Sequence, residues 1–322
     1  MKRFIASHSP LFILAGLCIL LAVISPEFRG MYNLRDVAGR TCVIGVIALG
    51  ELLVILTAGI DLSVGSVAAL GGVVAALAIH DLHFPVVLGI AVGAGAGLAC
   101  GMLNGVLVAK GKIPPFIVTL GMMMAARGVA LILSGGETIA GLPTSFRWLG
   151  GTYVTGEGAN AFVHWWVPVL IVVLLAAVFS IMLHFTRFGR SLYAIGGNIR
   201  AARLSGINVD RGRIAAFALS GLMAGFAGVM LASRTSVALG TAAEMYELDA
   251  IAACVIGGAS LMGGEGGAVA AVAGALIMMV LRNFCNLENI NPYWQQVLVG
   301  GLVVALVFYD NYRKRKAGLL HE

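Results

Sequence analysis

The amino-acid sequence predicts an all-α protein, a polytopic helical membrane bundle of about ten transmembrane helices. Of its 322 residues, 60% are hydrophobic and 11% are charged, and the mean hydropathy is +0.97. Soluble domains carry roughly 25% charged residues, and disordered chains need low hydrophobicity, so both classes are excluded. The apolar runs are long and unbroken, which excludes an outer-membrane barrel with its short alternating strands.

The predicted spans follow from ten apolar runs within a single transmembrane domain, residues 1–322. The runs cover residues 10–25, 42–58, 64–79, 86–109, 116–133, 167–185, 214–232, 250–262, 268–284 and 294–310. Several of these runs are near or below the length needed for a full crossing, and the 42–58 and 250–262 runs fit a complete span least well. We therefore treat both as candidates for broken or re-entrant segments.

Basic residues orient the spans, because Lys and Arg concentrate on the cytoplasmic side of a membrane. With the N-terminus inside and ten alternating spans, most of the 21 Lys and Arg residues fall on the inner side. This arrangement predicts an inner-membrane, multi-pass protein with both termini cytoplasmic, a cytoplasmic loop at 186–213 and a periplasmic loop at 134–165. The net charge of +6 then reflects orientation in lipid, and no nucleic-acid binding is expected.

Enzyme chemistry has no visible basis in the sequence. The five cysteines are scattered without CxxC spacing, and no metal site is expected. No GxxxxGK[ST] phosphate-binding loop is present, so the chain is not expected to hydrolyse ATP by that route. We expect no catalytic residue and no cofactor bound by this chain.

The 186–213 loop contains a predicted short helix over residues 199–205. Asn198 is placed to cap its start and Gly206 to end it. Leu204 and Ile207 would be apolar knobs surrounded by arginines. The alternative interpretation is a plain positively charged loop that contacts anionic lipid headgroups.

A polar interruption between Gly59 and Ser66 is the first candidate pathway feature. Asp61 and Ser63 are placed to cap the following helix in a turn on the cytoplasmic side. The alternative is a gate or partner contact near the inner mouth of a pathway.

Glu51 and Arg127 fall near the centres of their predicted spans. An isolated charge is costly in hydrocarbon, so each should face protein, a cavity or the other. The sequence therefore predicts either an Arg127–Glu51 pair or a polar pathway residue at Glu51.

The fourth predicted span contains a ribbon of glycines spaced four residues apart. Consecutive GxxxG steps let another helix approach to backbone distance, so packing is the expected role. Asn104 lies beside the ribbon and is a candidate for a hydrogen bond between helices. The glycines are Gly89, Gly93, Gly97, Gly101 and Gly105.

Several motifs together resemble the permease subunit of bacterial ABC sugar importers of the ribose and xylose type. The resemblance covers nearly the whole chain. The residues that carry it are Gly59–Ser66, Thr186–Asn198, Arg203–Asn208, Glu247–Ala253, Gly257–Gly258 and Gly263–Gly264.

The resemblance implies a type II ABC-importer bundle whose short helix is a coupling helix. That helix would contact a cytoplasmic ABC ATPase subunit, which uses ATP and Mg²⁺. The segment implied to do so consists of Arg200, Ala201, Ala202, Arg203, Leu204, Gly206 and Ile207. Arg200 stands where this superfamily usually has glutamate, so a specific acid contact with the ATPase is not expected.

Further partners follow from the same resemblance: a second permease copy, so that a homodimer encloses the pathway, and a periplasmic sugar-binding protein. Glu244, Glu247 and Asp249 are the candidate docking acids for that protein. Two other functions stay open: a branched-chain amino-acid ABC permease, and an ion-coupled secondary transporter with Glu51 as its ion site.

Overall fold

The computed structural model describes residues 14–152, 154–155 and 162–316, and these form a helical bundle. Strands β1 (Val154–Thr155) and β2 (Phe162–Val163) pair as a short antiparallel hairpin. Two 3-10 turns span Glu27–Arg29 and Thr144–Trp148. The helices are α1 (Leu14–Ile24), α2 (Met31–Leu56), α3 (Val64–His80), α4 (Val86–Ala109), α5 (Pro115–Ser134), α6 (Trp166–Phe185), α7 (Arg187–Gly197), α8 (Ile199–Leu204), α9 (Val209–Thr235), α10 (Tyr246–Ile256), α11 (Ala268–Leu287) and α12 (Pro292–Lys316).

The all-α class is confirmed, whereas the count of ten spans is not. Within the described ranges, six helices are long and apolar enough to cross a membrane: α2, α4, α5, α6, α9 and α11. The apolar helices α1 and α3 are shorter. Residues 10–13 of the first predicted span, together with Lys2 and Arg3, lie outside the described residues.

The 42–58 run is neither broken nor re-entrant, which corrects that expectation. It is the second half of α2, one continuous helix of 26 residues. Of the residues in the most apolar part of α2, 94% are buried inside the protein, and the helix packs against α6, α7, α9, α10 and α11. A helix that is apolar on every face belongs at the centre of a bundle.

The 250–262 run does not form a complete crossing. Its helix, α10, has 11 residues, so it is about 16 Å long. Residues 236–245 before it are non-helical, and Ala238, Gly240 and Ala243 of this segment are buried. Ala238 exchanges two backbone hydrogen bonds of 2.9 Å with Ile139 of the 134–165 loop. Such non-helical backbone is tolerated at membrane depth only where protein surrounds it.

Helices α4 and α9 meet at backbone distance along glycines of both helices. A Cβ atom at Gly97 would overlap the carbonyl oxygen of Gly221, and one at Gly221 would overlap that of Gly97. A Cβ atom at Gly225 would overlap Gly93 O, whereas one at Gly93 would overlap Gly71 O of α3. The structure therefore places the glycine ribbon of α4 in helix–helix contacts, with α9 as the neighbour along most of the ribbon and α3 as the neighbour at its start.

One end of the molecule, here called the arginine-rich end, carries α7 and α8. The sequence predicts a short helix over residues 199–205, which corresponds to α8, but it does not predict α7. Gly189, Leu192 and Ile195 are the buried residues of α7, and their three-residue spacing is the helical signal. The Thr186 hydroxyl caps α7 by accepting the Gly189 N–H at 3.1 Å.

We predict that Gly97→Ala destabilises the protein by about 1–3 kcal/mol, because the added methyl group forces α4 away from α9. Gly95→Ala is the matched control, because a methyl group added at Gly95 would meet no atom within 4 Å. The control should be neutral or up to about 1 kcal/mol more stable, since Ala favours helix over Gly. Thermal unfolding of the two variants in detergent measures the difference, and equal midpoints would contradict the prediction.

Candidate functional site

Five polar side chains from four parts of the chain meet inside the bundle. We call this group the buried polar cluster. Each member is at most 1% exposed. The members are Glu51 of α2, Asp61 and Ser63 of the turn before α3, Asn104 of α4 and Ser220 of α9.

Hydrogen bonds connect the cluster through Asp61. Its Oδ1 accepts the Ser63 N–H at 3.0 Å and the Ser63 hydroxyl at 2.6 Å, while its Oδ2 accepts the Ser220 hydroxyl at 3.3 Å. The Asp61 N–H donates to Glu51 Oε1 at 3.0 Å. Asn104 Nδ2 donates to the Ser63 hydroxyl at 3.0 Å. Of the predicted pathway residues, the structure therefore brings together Glu51, Asp61, Ser63 and Asn104.

The turn that carries Asp61 lies within the bundle, not at its surface. Glu51 and Asn104 each precede the end of their helix by five residues, which is about 8 Å along the helix axis. The expected side-chain cap is also absent: Ser63 is the N-cap of α3 but makes no capping bond. Asp61 instead receives the Ser63 N–H, which corrects the predicted capping of α3 by these two side chains.

Backbone groups of this turn are satisfied by protein, as a segment shielded from water requires. Gly59 N–H donates to Val54 O at 3.1 Å. The single hydroxyl proton of Thr119 on α5 is shared between Pro115 O at 3.0 Å and Ile60 O at 3.3 Å. Ala58 has φ +58°, a left-handed conformation that reverses the chain after α2.

Arg127 does not join the cluster, so the predicted Arg127–Glu51 pair is wrong. The Arg127 guanidinium donates to the carbonyl oxygens of Gly240 and Ala242, both at 2.7 Å. These carbonyls belong to the non-helical 236–245 segment and need donors that a helix would have supplied. Arg127 therefore holds that segment against α5.

The three candidate docking acids occupy different environments. Glu244 is exposed and Glu247 is partly buried. Asp249 is 1% exposed and pairs with Arg282 at 2.7 Å. Burial in this ion pair removes Asp249 from any docking surface, which corrects its predicted role.

At the arginine-rich end, α8 projects from the bundle. The Asn198 side chain accepts the Ala201 N–H at 3.0 Å, and Gly206, with φ +79°, follows the helix, so both predicted boundary residues are confirmed. Ala202 is buried against Ile195 and Val209. Leu204 is 91% exposed.

The remaining residues of the predicted coupling segment surround this apolar side chain. Arg200, Ala201 and Gly206 are exposed. Arg203 is exposed too and lies 3.3 Å from Asp210 in a solvent-facing ion pair. Ile207 differs from its predicted role as a second knob, because it packs against the small apolar cluster beneath α8.

A short chain of contacts connects α7 to the turn of the buried polar cluster. Leu56 O, at the end of α2, accepts the Gly264 N–H at 3.1 Å, and Gly196 of α7 packs directly on the same carbonyl. The Tyr193 hydroxyl donates to Gly266 O at 2.8 Å. Burial raises the pKa of Tyr193, so this hydroxyl remains a neutral donor near neutral pH.

Known proteins match this chain over most of its length. A family model described as "Branched-chain amino acid transport system / permease component" matches residues 33–307. The ribose import permease protein of Escherichia coli (strain K12) is 40% identical over 97% of this chain and 96% of its own. That of Bacillus subtilis (strain 168) is 41% identical over 94% and 91%. The xylose transport system permease protein of Escherichia coli (strain K12) is 36% identical over 88% and 86%.

The fold and the matches together define a multi-pass membrane permease. The chain belongs to the family of branched-chain amino acid transport system permease components, which confirms the expectation that it is a transport component and not an enzyme. A search of the solved structures gives no significant match.

Ser220 was not predicted to be a member of the cluster. A single serine inside an apolar, glycine-rich span has no distinctive spacing, and short hydroxyl side chains are common at helix contacts in membranes. Only the approach of α9 to α4 and to the turn reveals its role.

We predict that Ser220→Ala destabilises the protein by about 1–3 kcal/mol, because Asp61 Oδ2 loses its buried donor. Ser180→Ala on α6 is the control: this half-buried serine accepts a bond from His184 through its backbone carbonyl, which the substitution keeps. The control should change stability by no more than about 0.5 kcal/mol. The unfolding midpoints of the two variants are measured by thermal unfolding in detergent. If Ser180→Ala loses as much stability as Ser220→Ala, the hydrogen bond assigned to Ser220 is refuted.

Proposed function

We propose that the chain is the transmembrane subunit of an ABC importer that moves a ribose-type monosaccharide across the bacterial inner membrane. The observation that carries this proposal is the similarity to ribose import permeases over nearly the full length of both chains. ATP hydrolysis, with Mg²⁺, takes place in a separate cytoplasmic ATPase subunit. High-affinity sugar recognition is delegated to a periplasmic binding protein.

The arginine-rich end faces the cytoplasm in this proposal, and both termini lie on that side. Basic residues favour the cytoplasmic side of a membrane, and Arg187, Arg190, Arg200 and Arg211 all belong to this end. The α8 helix then serves as the coupling helix. Its exposed Leu204 enters a groove of the ATPase, and Arg203 flanks the contact.

A second copy of the chain completes the pathway at the face of α5. Gly121 and Gly128 leave this face open, since a methyl group added at either glycine would meet no atom within 4 Å. Glu244 is exposed and lies two residues after Ala242, whose carbonyl oxygen accepts a hydrogen bond from Arg127. An exposed carboxylate beside an open helix face suits a polar passage between two copies. Glu244 and Glu247 then belong to this passage, or to the docking surface at its periplasmic mouth.

A branched-chain amino-acid importer is the second candidate, because the family description names that substrate class. The named ribose and xylose permeases favour a sugar instead. A zwitterionic substrate would need a matched pair of charges, and Arg127 and Glu51, the predicted pair, are not partners of each other. An ion-driven carrier without an ATPase is the third candidate.

The test begins with purification of the tagged chain from its native membrane. We expect an ATPase subunit and a sugar-binding protein to accompany it. Proteoliposomes with the complete complex should accumulate labelled ribose only when ATP is supplied on the ATPase side, and leucine should not compete. Leucine uptake would favour the amino-acid importer, and ribose uptake by the chain alone, driven by an ion gradient, would refute the proposal.

A variant of α8 belongs to the same experiment. Leu204→Ser should reduce ATPase retention and uptake by at least about tenfold, since an exposed apolar anchor carries much of such an interface. Leu82→Ser is the control, because Leu82 is 63% exposed and follows α3 at the opposite end of the bundle. Loss of ATPase in the control instead would place the contact elsewhere.

We predict that Gly196→Ala reduces uptake by at least about tenfold while the ATPase stays bound. A methyl group at Gly196 collides with Leu56 O and separates α7 from the end of α2, and a loss of about 1.4 kcal/mol in coupling corresponds to that factor. The adjacent Gly197→Ala meets no atom within 4 Å and is the matched control. ATPase retention and ribose uptake are measured for both, and equal uptake would show that this contact does not transmit motion.

A further inference from the structure

The buried polar cluster contains two carboxyl groups and no basic partner within the described part of the chain. Glu51 is 0% exposed and Asp61 is 1% exposed. The ion pairs of Asp36, Asp81, Asp210 and Asp249 include neither of these two carboxyl groups. The donors that reach the two carboxyl groups are neutral amide and hydroxyl groups. Two adjacent negative charges without a cation are strongly disfavoured in such a site.

Two further atoms in the cluster have no partner. Glu51 Oε2 and Asn104 Oδ1 are buried and make no hydrogen bond in the described structure. Asn104 is not acidic, and its amide is fixed to the cluster by the bond from Nδ2 to the Ser63 hydroxyl. Buried polar atoms are nearly always satisfied. Both unpartnered atoms are acceptors, so each can be satisfied only by a donor or a cation.

No neighbouring element among the described residues supplies that group. The titratable side chains nearest the cluster are the thiols of Cys100 on α4 and Cys254 on α10, together with the Glu247 carboxylate of α10, which lies against Gly65 at the start of α3. The Cys254 thiol already donates to Ala48 O at 3.3 Å. From α3, the Ser66 hydroxyl donates to Ser63 O, and from α5, Thr119 donates to backbone carbonyls. None of these groups carries positive charge.

We propose that the buried polar cluster is a binding site for one monovalent cation, H⁺ or Na⁺, held by Glu51 together with Asp61. A proton on Glu51 removes one charge and converts an unpartnered acceptor into a donor. A sodium ion takes oxygen ligands, and the carboxylates, the serine hydroxyls and the Asn104 carbonyl are of that kind. The site goes beyond sugar import, because no step of the proposed transport requires it.

The experiment compares the wild-type complex with Glu51→Gln, which keeps the shape of the side chain and removes its charge. Glu288→Gln, at an exposed residue after α11, is the control. Unfolding midpoints are measured at neutral and alkaline pH, in sodium and in choline buffers. Infrared spectra of the same samples report the C=O stretch of protonated carboxyl groups.

The two cations give different results. If H⁺ is bound, the wild type shows a protonated carboxyl band that Glu51→Gln lacks. Its stability also falls as pH rises, by up to about tenfold in the folding constant per pH unit, because the folded state holds a proton that the unfolded state releases. If Na⁺ is bound, sodium stabilises the wild type relative to choline, and Glu51→Gln does not respond. Glu288→Gln should match the wild type in both cases.

Equal responses of wild type and Glu51→Gln to pH and to sodium, without a band difference, would overturn the proposal and leave only water in the site. If Glu51→Gln fails to fold, the same measurements on Asp61→Asn and on the wild type decide. A wild type with neither a protonated carboxyl band nor sodium stabilisation has no bound cation.

Discussion

Direct backbone contact between α4 and α9 is the constraint on which the rest of the bundle depends. Lipid gives helices little hydrophobic reason to associate, so close packing must hold them together. Gly97 and Gly221 allow this by leaving no side chain between the two helices. The same approach brings Asn104 of α4 and Ser220 of α9 to the turn at Asp61. A bulkier residue at this crossing would therefore disturb both the packing and the polar groups.

Local and periodic features of this fold were readable from the sequence. The glycine ribbon of α4, the caps of α8 and the long apolar runs all depend on residues close together along the chain. The partners of Arg127 were not readable, because they are backbone carbonyls more than a hundred residues away, at Gly240 and Ala242. Backbone atoms have no sequence signature. The 42–58 run was also not readable as half of the central helix α2, because the first turns of that helix, from Met31 to Arg40, are too polar to belong to an apolar run.

The candidate site was partly visible for a related reason. Ionisable residues inside apolar runs are conspicuous, which singled out Glu51 and Asp61. Their mutual arrangement depends on where α2 ends and how the chain re-enters the bundle. The turn at Asp61 touches the protein interior at one end and, through Leu56 and Gly264, the α7 helix at the other. A displacement of α7 and α8 would therefore reach the buried polar cluster through the few residues between Leu56 and Asp61, and no long helix lies between the two.

The position of Glu244 has a consequence for the state in which the subunit can exist in a bilayer. Arg127, which fixes the neighbouring carbonyls, lies seven residues before the end of α5, about 10 Å along the helix axis. A carboxylate exposed near that depth is poorly solvated by acyl chains. A solitary subunit surrounded by lipid would carry this solvation penalty permanently. Burial of this face against protein, or its hydration, removes the penalty, so the second copy proposed above would relieve a cost that a lone subunit bears before any substrate arrives.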